Sequence, residues 1–313
     1  MINKIEKFNL NSTLLLLFTL LTFILGGLFG SEILSRNFLS TFTCLFLILT
    51  IGVSHGALDN VKGYKLLKIY KIKSKFIFYF SYIFFAILII FIWIFLPTLA
   101  LTSFLIIAAY HFGKEDCWEV PVIKSVLNPV KFFLKGSLII LAPLWLSFNE
   151  TISIFNTLGI KNQEFYNFLN FINLKEFFLF LVALSILSNI LISKDSKYLT
   201  GFIIEIFCIL VLHYAFNPLV AFTIYFCFLH SLKHSISLTL EFDITIKEFI
   251  KNAWPLTLLT TIFFFIGIYI LTGFQNVDID SSIINVIFIG LASLTFPHIL
   301  LEYLLEKNEK QRS

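Results

Sequence analysis

Charged residues are scarce in this chain, and their scarcity excludes an ordinary soluble globular protein. Only 13% of the 313 residues are charged and 58% are hydrophobic, whereas soluble domains are about one-quarter charged. Arginine is almost absent, with only Arg36 and Arg312 present. The high number of phenylalanines, 40, reflects in part a compositional bias, and we do not interpret it as a cofactor-binding motif. The composition predicts an all-α, polytopic membrane protein.

Several motifs that would indicate other functions are also lacking. The four cysteines show no CxxC spacing, and Cys44, Cys208 and Cys227 lie in apolar runs, where cysteine usually acts as a small hydrophobic residue. There is no glycine-rich phosphate-binding loop. There is also no basic patch interleaved with aromatic residues, so we expect no nucleic-acid partner.

Long apolar runs fill most of the sequence. Because a bilayer core requires about 20 apolar residues in a helix, the pattern predicts eight to ten spans in a single domain, residues 1–313. A polar loop is expected at 148–175. The ten candidate spans lie at about 12–30, 38–57, 76–96, 98–112, 130–147, 176–193, 199–216, 219–237, 254–272 and 283–304.

The placement of basic residues predicts the orientation of these spans. Cytoplasmic loops carry an excess of lysine and arginine. With the N-terminus inside and ten alternating spans, only Arg36, Lys161 and Lys175 fall on the outer side. We therefore expect cytoplasmic N- and C-termini and a multi-pass protein of the cell inner membrane.

Two histidines within one apolar run, His230 and His234, form the strongest functional signal. Their spacing of four residues places both rings on one face of a helix. Ionisable groups are expensive inside a bilayer, so such a pair indicates a functional site. Imidazole is a ligand for zinc, iron, copper and nickel.

Under the predicted topology, five of the six histidines share the cytoplasmic half of the membrane. His55, His111 and His298 lie near the inner ends of their spans, at a depth similar to that of the pair. His213 lies near the outer end of its span, where a hydrogen bond between helices is the simpler interpretation. The pattern favours a metal site made of His55, His111, His230 and His234. For His298, which follows Pro297, a place in the substrate pocket or behind the ligands and a plain packing role both remain open.

Carboxylates follow three of these histidines at about one helical turn. Asp59 follows His55, Asp116 follows His111, and Glu302 follows His298. Metal-bound histidines usually donate their second ring N–H to a carboxylate, carbonyl or water, so these residues are candidates for that role. Asp59 and Asp116 could instead cap helix ends.

These segments resemble the Brp/Blh family of membrane β-carotene 15,15′-dioxygenases. The resemblance rests on four motifs in order and extends from about residue 40 to 304; the first span and the 148–175 loop carry no motif that matches the family. The four motifs are His55-Gly56-Ala57-Leu58-Asp59, His111-Phe112-Gly113-Lys114-Glu115-Asp116, His230-Ser231-Leu232-Lys233-His234 and Phe296-Pro297-His298.

The resemblance implies a non-haem iron enzyme that cleaves β-carotene with O2 at its central double bond and yields two retinals. It implies Fe(2+) bound by the imidazoles of His55, His111, His230 and His234. It also suggests membrane lipid as the surroundings and a retinal-binding rhodopsin as an acceptor of the product. We expect Tyr110 and Trp118, which flank the second motif, to line the substrate cleft.

Three other functional classes remain open from the sequence. A di-iron hydroxylase or desaturase uses about eight ligands, and six histidines with one pair fall short of that number. A b-type cytochrome would bind haem axially between facing helices. A transporter or an assembly factor for retinal proteins would use the histidines as a proton path, although no inverted repeat is visible. Members of the family that act on other carotenoids also remain possible.

Overall fold

The computed structural model describes residues 4–29, 41–117, 127–171, 174–192 and 196–310, and in these ranges the chain forms helices and no strand. This confirms the all-α fold class. In chain order the helices are α1 (Lys4–Phe29), α2 (Thr41–Leu47), α3 (Asp59–Ile69), α4 (Phe76–Phe95), α5 (Pro97–Glu115), α6 (Asn128–Leu146), α7 (Phe148–Thr157), α8 (Gln163–Phe171), α9 (Leu174–Ile192), α10 (Ser196–Ala215), α11 (Pro218–Tyr225), α12 (Leu232–Phe242), α13 (Ile246–Gln275) and α14 (Ile279–Lys310).

Six segments among the described residues are long and apolar enough to cross a bilayer. They are Phe76–Phe95, Asn128–Leu146, Tyr198–Ala215, Pro218–Phe242, Ile246–Gln275 and Ile279–Asn308. Shorter apolar helices occur at Leu10–Leu25, Thr41–Gly52 and Leu179–Ser188. All nine segments fall on predicted spans, and the chain is therefore a polytopic membrane protein. The fourth predicted span coincides with α5, which is not among the six.

The segment at 148–175 was predicted to be a polar loop, and this prediction was wrong for most of its length. Helices α7 and α8 occupy it, and residues 172–173 lie outside the described ranges. Thr151 and Phe155 of α7 are buried, and the Thr151 hydroxyl donates to the Pro143 carbonyl at 3.1 Å. The polar composition concealed amphipathic helices that pack one face against the bundle.

Helices α5 and α6 pack at very short range through two glycines. A Cβ atom at Gly113 would lie 1.8 Å from the Phe132 carbonyl oxygen, and one at Gly136 would lie 1.9 Å from the Ala109 carbonyl oxygen. No larger residue fits at either position without moving a backbone. This contact fixes the end of α5, which carries His111.

Three short segments depart from regular α-helix next to the histidine motifs: two have the wider turns of a π-helix and one has the tighter turns of a 3₁₀ helix. Ile48–Gly52 and Phe226–Ser231 are π-helical, and Val53–Leu58 is a 3₁₀ helix that contains the backbone of His55. Insertions of this kind are frequent at functional sites because they change the direction of side chains within an otherwise regular helix. The π segment at Phe226–Ser231 contains His230 and sets its position relative to His234.

Candidate metal centre

Four imidazole rings from separate parts of the chain meet in the interior of the bundle. His111 comes from α5, His230 from the π segment, His234 from α12 and His298 from α14. Each is at most 5% exposed. The ring centroid of His111 lies 5.4 Å from that of His230 and 5.3 Å from that of His298, and the rings of His234 and His298 are 5.7 Å apart. We call these four residues the histidine centre.

The Nδ1 atoms of three of these rings contact carboxylates on other helices. His230 Nδ1 lies 3.0 Å from Asp116 Oδ1, and His234 Nδ1 lies 3.0 Å from Glu115 Oε2. A carboxylate accepts a hydrogen bond from Nδ1–H, so the ring keeps its proton there and presents the lone pair of Nε2. This is the arrangement found in metal-binding histidines that bind through Nε2.

The third of these contacts joins the two ends of the sequence. His298 Nδ1 lies 2.9 Å from both carboxylate oxygens of Asp59, although the residues are 239 positions apart. Asp59 therefore supports a histidine of α14. In the same way Asp116, which directly follows α5, contacts His230 of the π segment. Sequence proximity suggested neither pairing.

Each of the two aspartates also accepts a hydrogen bond from a tyrosine of its own. The Tyr225 hydroxyl donates to Asp116 Oδ2 at 2.5 Å, and the Tyr82 hydroxyl donates to Asp59 Oδ2 at 2.8 Å. Each aspartate thus accepts from one tyrosine and one histidine. A buried carboxylate that is bonded at both oxygens has one orientation, and it fixes the imidazole that it contacts.

Glu302 of α14 lies among the rings. Its Oε1 is 3.7 Å from His298 Nε2 and 4.0 Å from His234 Nε2, and its Oε2 is 4.0 Å from His111 Nδ1. Lys62 of α3 forms a buried ion pair with Glu302 Oε1 at 2.7 Å. Burial disfavours the charged form of Lys62, but attraction by Glu302 and Asp59 outweighs it, and the pKa of Lys62 is raised.

Aromatic rings cover His230. The Phe112 ring centroid lies 4.7 Å from that of His230 in an edge-on arrangement, and the Phe226 ring stacks on His230 at 5.8 Å with an interplanar angle of 17°. Phe222 stacks in turn on Phe226 at 5.4 Å. These rings keep one side of the histidine centre apolar.

A second polar cluster adjoins the first. Lys135 of α6 lies 2.5 Å from Glu205 Oε1, and Lys233 of α12 lies 3.6 Å from Glu205 Oε2. The Lys233 ammonium also donates to the Asp116 backbone carbonyl at 3.0 Å. We call Lys135, Glu205 and Lys233 the lysine–glutamate cluster; it ties α6, α10 and α12 together.

The structure brings together three of the four predicted ligands, namely His111, His230 and His234, and it adds His298. The backbone of His55 lies in the 3₁₀ segment, and its side chain lies outside the described part of the structure. The half-buried ring of Tyr110 packs edge-on against Phe132 of α6 at 6.4 Å. Trp118 lies outside the described residues.

Four contributors to the centre were missed from the sequence. Glu115 stands in the second motif, so its neighbours His111 and Asp116 were a usable signal. Tyr82, Tyr225 and Lys62 lie in an aromatic-rich helix, an apolar run and a basic connector, respectively. Nothing in those contexts distinguishes them from neighbouring tyrosines and lysines.

The donor set fits a transition metal. His111 Nε2 is buried, and no residue in the described part of the chain forms a hydrogen bond with it. One ligand atom each from His111, His298 and Glu302 lies within 4.8 Å of the others, and the same holds for Glu115, His234 and Glu302. Clustered imidazoles backed by carboxylates suit iron, zinc, copper or nickel and do not select among them. Fold and site together define a polytopic membrane protein with a buried histidine–carboxylate centre.

Comparison with known proteins identifies the family. A family model described as Beta-carotene 15,15'-dioxygenase matches residues 46–306. The chain is also 26% identical over 266 residues to the Beta-carotene 15,15'-dioxygenase of Uncultured marine bacterium 66A03, covering 82% of this chain and 90% of that protein. No solved structure matches the chain. The protein belongs to the beta-carotene 15,15'-dioxygenase family.

Proposed function

We propose that this protein is an iron-dependent oxygenase that cleaves β-carotene with O2 at the 15,15′ double bond and releases two molecules of all-trans-retinal. The observation that carries the proposal is a buried cluster of imidazoles in a chain whose family match extends through every histidine motif. We place the protein in the cell inner membrane with both termini cytoplasmic, as the lysine distribution predicts.

We assign the metal to the imidazoles of His55, His111, His230 and His234. Fe(II) in such a site would supply O2 activation, chemistry that no side chain of this protein performs alone. Asp116 and Glu115 hold protons at Nδ1 of His230 and His234, so that Nε2 of each ring is the donor atom. Neutral imidazoles leave the charge of the metal unchanged.

The surroundings of the centre suit an apolar polyene. Phe112 and Phe226 pack directly on His230 and exclude water from that side. A hydrocarbon that is dissolved in the bilayer can reach such a site between helices without a polar path. The aromatic walls would position the polyene, and the dry interior would prevent loss of reactive oxygen species to water.

The direct test is expression in a bacterial host that accumulates β-carotene, followed by pigment chromatography. Loss of β-carotene together with appearance of retinal supports the proposal. Removal of iron from the purified protein by a chelator should abolish turnover, and added Fe(II) should restore it. Longer apocarotenals would contradict central cleavage.

Matched variants make this test specific. His230→Ala should abolish retinal formation, whereas His213→Ala should leave it intact, because His213 forms no part of the centre. Retention of β-carotene by cells that contain folded, iron-loaded wild-type protein would contradict the proposed substrate. A different carotenoid or lipid would then be the substrate of the metal site. A Soret band in the purified protein would instead indicate a b-type cytochrome.

The fate of the product forms a separate part of the proposal. Retinal is apolar and remains in the bilayer, so a retinal-binding rhodopsin in the same membrane is a suitable acceptor. If release to an acceptor limits turnover, co-expression with a rhodopsin should increase the amount of β-carotene that is consumed. An unchanged amount of consumed β-carotene would argue against coupling.

A further inference from the structure

His298 is the histidine whose role the sequence leaves open. It follows Pro297 within α14 and is 3% exposed. Its ring lies 5.3 Å from that of His111 and 5.7 Å from that of His234, which are spacings like the 5.4 Å between His111 and His230. By position, His298 is as much part of the centre as the other three rings.

The hydrogen bonds around His298 repeat those around His230. In one case Tyr225 donates to Asp116, whose other oxygen contacts His230 Nδ1 at 3.0 Å. In the other, Tyr82 donates to Asp59, whose oxygens contact His298 Nδ1 at 2.9 Å. The same arrangement is thus built twice from different helices. A shared arrangement implies a shared task, and for His230 that task is to present Nε2.

The Nε2 side of His298 faces the interior of the centre. His298 Nε2 is 3.7 Å from Glu302 Oε1, which also lies 4.0 Å from His234 Nε2. One ligand atom each from His111, His298 and Glu302 lies within 4.8 Å of the others. An ion bound to His111 is therefore within reach of His298.

We propose that His298 is a ligand of the same metal ion as His111, His230 and His234, held in place by Asp59 and Tyr82. The inference rests on the proposed function in taking iron as the metal and His111, His230 and His234 as its ligands. With His55, which the proposed function also assigns to the metal, five imidazoles would hold the ion, and the ion would supply O2 activation. Glu302, which forms an ion pair with Lys62 and has an oxygen within 4.8 Å of ligand atoms of His111 and His298, would lie beside the ion.

The competing interpretation is a structural ion cluster. A protonated His298 between Asp59 and Glu302 would satisfy both carboxylates without any metal. In that case His298 would contribute to the stability of the fold. Its removal would not change the coordination of a metal bound elsewhere in the centre.

The test compares His298→Ala and His298→Gln with His213→Ala, a substitution of an equally buried histidine outside the centre. The full chain is purified in detergent, stripped of metal, and titrated with Fe(II) under anaerobic conditions against a chromogenic chelator. Co(II) is used in parallel, because its visible spectrum reports coordination number directly. Neither readout requires turnover.

We expect His298→Ala to weaken Fe(II) binding by more than ~100-fold, which exceeds the effect of removing a residue behind a ligand. The Co(II) spectrum should change, and added imidazole should restore it by filling the vacated position. His213→Ala should match the wild type in both measurements. If His298→Ala does not fold, His298→Gln keeps the volume and a donor to Asp59 and should show the same loss of binding.

Unchanged Fe(II) affinity and an unchanged Co(II) spectrum in folded His298→Ala would overturn the inference. Weakened binding with an unchanged spectrum and no rescue by imidazole would also overturn it, because His298 would then act through another residue. Carotene turnover is measured separately. A protein whose metal spectrum depends on His298 but which leaves β-carotene intact would contradict the proposed substrate and retain the ligand. If the protein cleaves β-carotene but its metal spectrum does not depend on His298, the proposed function is supported and His298 is not a ligand.

Discussion

Two buried polar clusters adjoin each other in this bundle, and they are built on different principles. In the lysine–glutamate cluster, charges of opposite sign neutralise one another, with Glu205 between Lys135 and Lys233. In the histidine centre, each of four imidazole rings has another ring centroid 5.3–5.7 Å from its own. The carboxylates Asp59, Asp116 and Glu115 contact these rings at Nδ1.

The difference indicates which cluster serves the fold and which serves chemistry. A buried ion cluster that is satisfied internally needs nothing further, and its task is to join helices. Protonated imidazoles at this spacing would repel one another, whereas a neutral imidazole presents one nitrogen lone pair that can bind a cation. A cation would stabilise such a cluster, and polar groups of this kind inside a membrane usually mark function.

The largest effect is expected from breaking the histidine centre at His230. The His230→Ala variant removes the ring on which Phe112 and Phe226 pack and whose Nδ1 contacts Asp116. We expect retinal formation to fall by more than ~100-fold, because loss of a ligand should exceed loss of its support. Retinal in carotene-producing cells is the measurement, and equal protein in the membrane fraction is the control. Activity near the wild-type level would show that the reaction does not depend on the histidine centre.

A smaller effect is expected from the carboxylates that support the rings. Asp116→Asn weakens the acceptor for both His230 and Tyr225, and we expect a loss of about 10- to 100-fold in Fe(II) affinity. Glu115→Gln is the matched variant, because the Glu115 side chain supports His234 and is 17% exposed, whereas that of Asp116 is 4% exposed. Its effect should be smaller. Anaerobic metal titration checks the order, and a larger loss in Glu115→Gln would reverse our ranking of the two contacts.

The lysine–glutamate cluster should respond in stability and not in metal binding. Lys135→Met leaves Glu205 with only Lys233 at 3.6 Å, and breaking a buried ion pair costs about 3–5 kcal/mol. We expect a lower temperature of unfolding in detergent, with unchanged Fe(II) affinity of the folded protein. The double variant Lys135→Met, Glu205→Leu should recover part of the loss but leave Lys233 with less compensation. A metal affinity that falls together with the stability would show that the clusters act as one unit.

The smallest effect is expected at His213. This residue is 2% exposed, and neither ring nitrogen forms a hydrogen bond with any residue that the structure describes. It follows Glu205 by eight residues, roughly 12 Å along an α-helix. His213→Leu removes two buried ring nitrogens whose desolvation opposes folding. The free energy of unfolding should therefore stay equal or rise by up to ~1–3 kcal/mol. Thermal unfolding and retinal formation are measured together. A loss of activity comparable with that of His230→Ala would place His213 in the site.

The sequence predicted the helices well because hydropathy is a local property. The predicted span 76–96 corresponds to α4 (Phe76–Phe95), and the predicted eighth span lies inside Pro218–Phe242. Asn217 lies between the predicted seventh and eighth spans, and it caps α11 by accepting a hydrogen bond from the Val220 amide at 3.0 Å. The segment at 148–175 was misread because short amphipathic helices carry enough polar residues to resemble a loop.

By itself the sequence determined the membrane class, most spans and the family resemblance, and it predicted that the histidine motifs group together. These properties follow from composition, hydrophobic periodicity and the order of the motifs, which can be read from the sequence without knowing how the helices pack. Only the tertiary structure decided that Asp59 supports His298 and that Asp116 supports His230. Such pairings depend on how helices cross and on close contacts such as Gly113 against α6. No local pattern encodes a contact between residues 239 positions apart, because it exists only after the helices between them have packed.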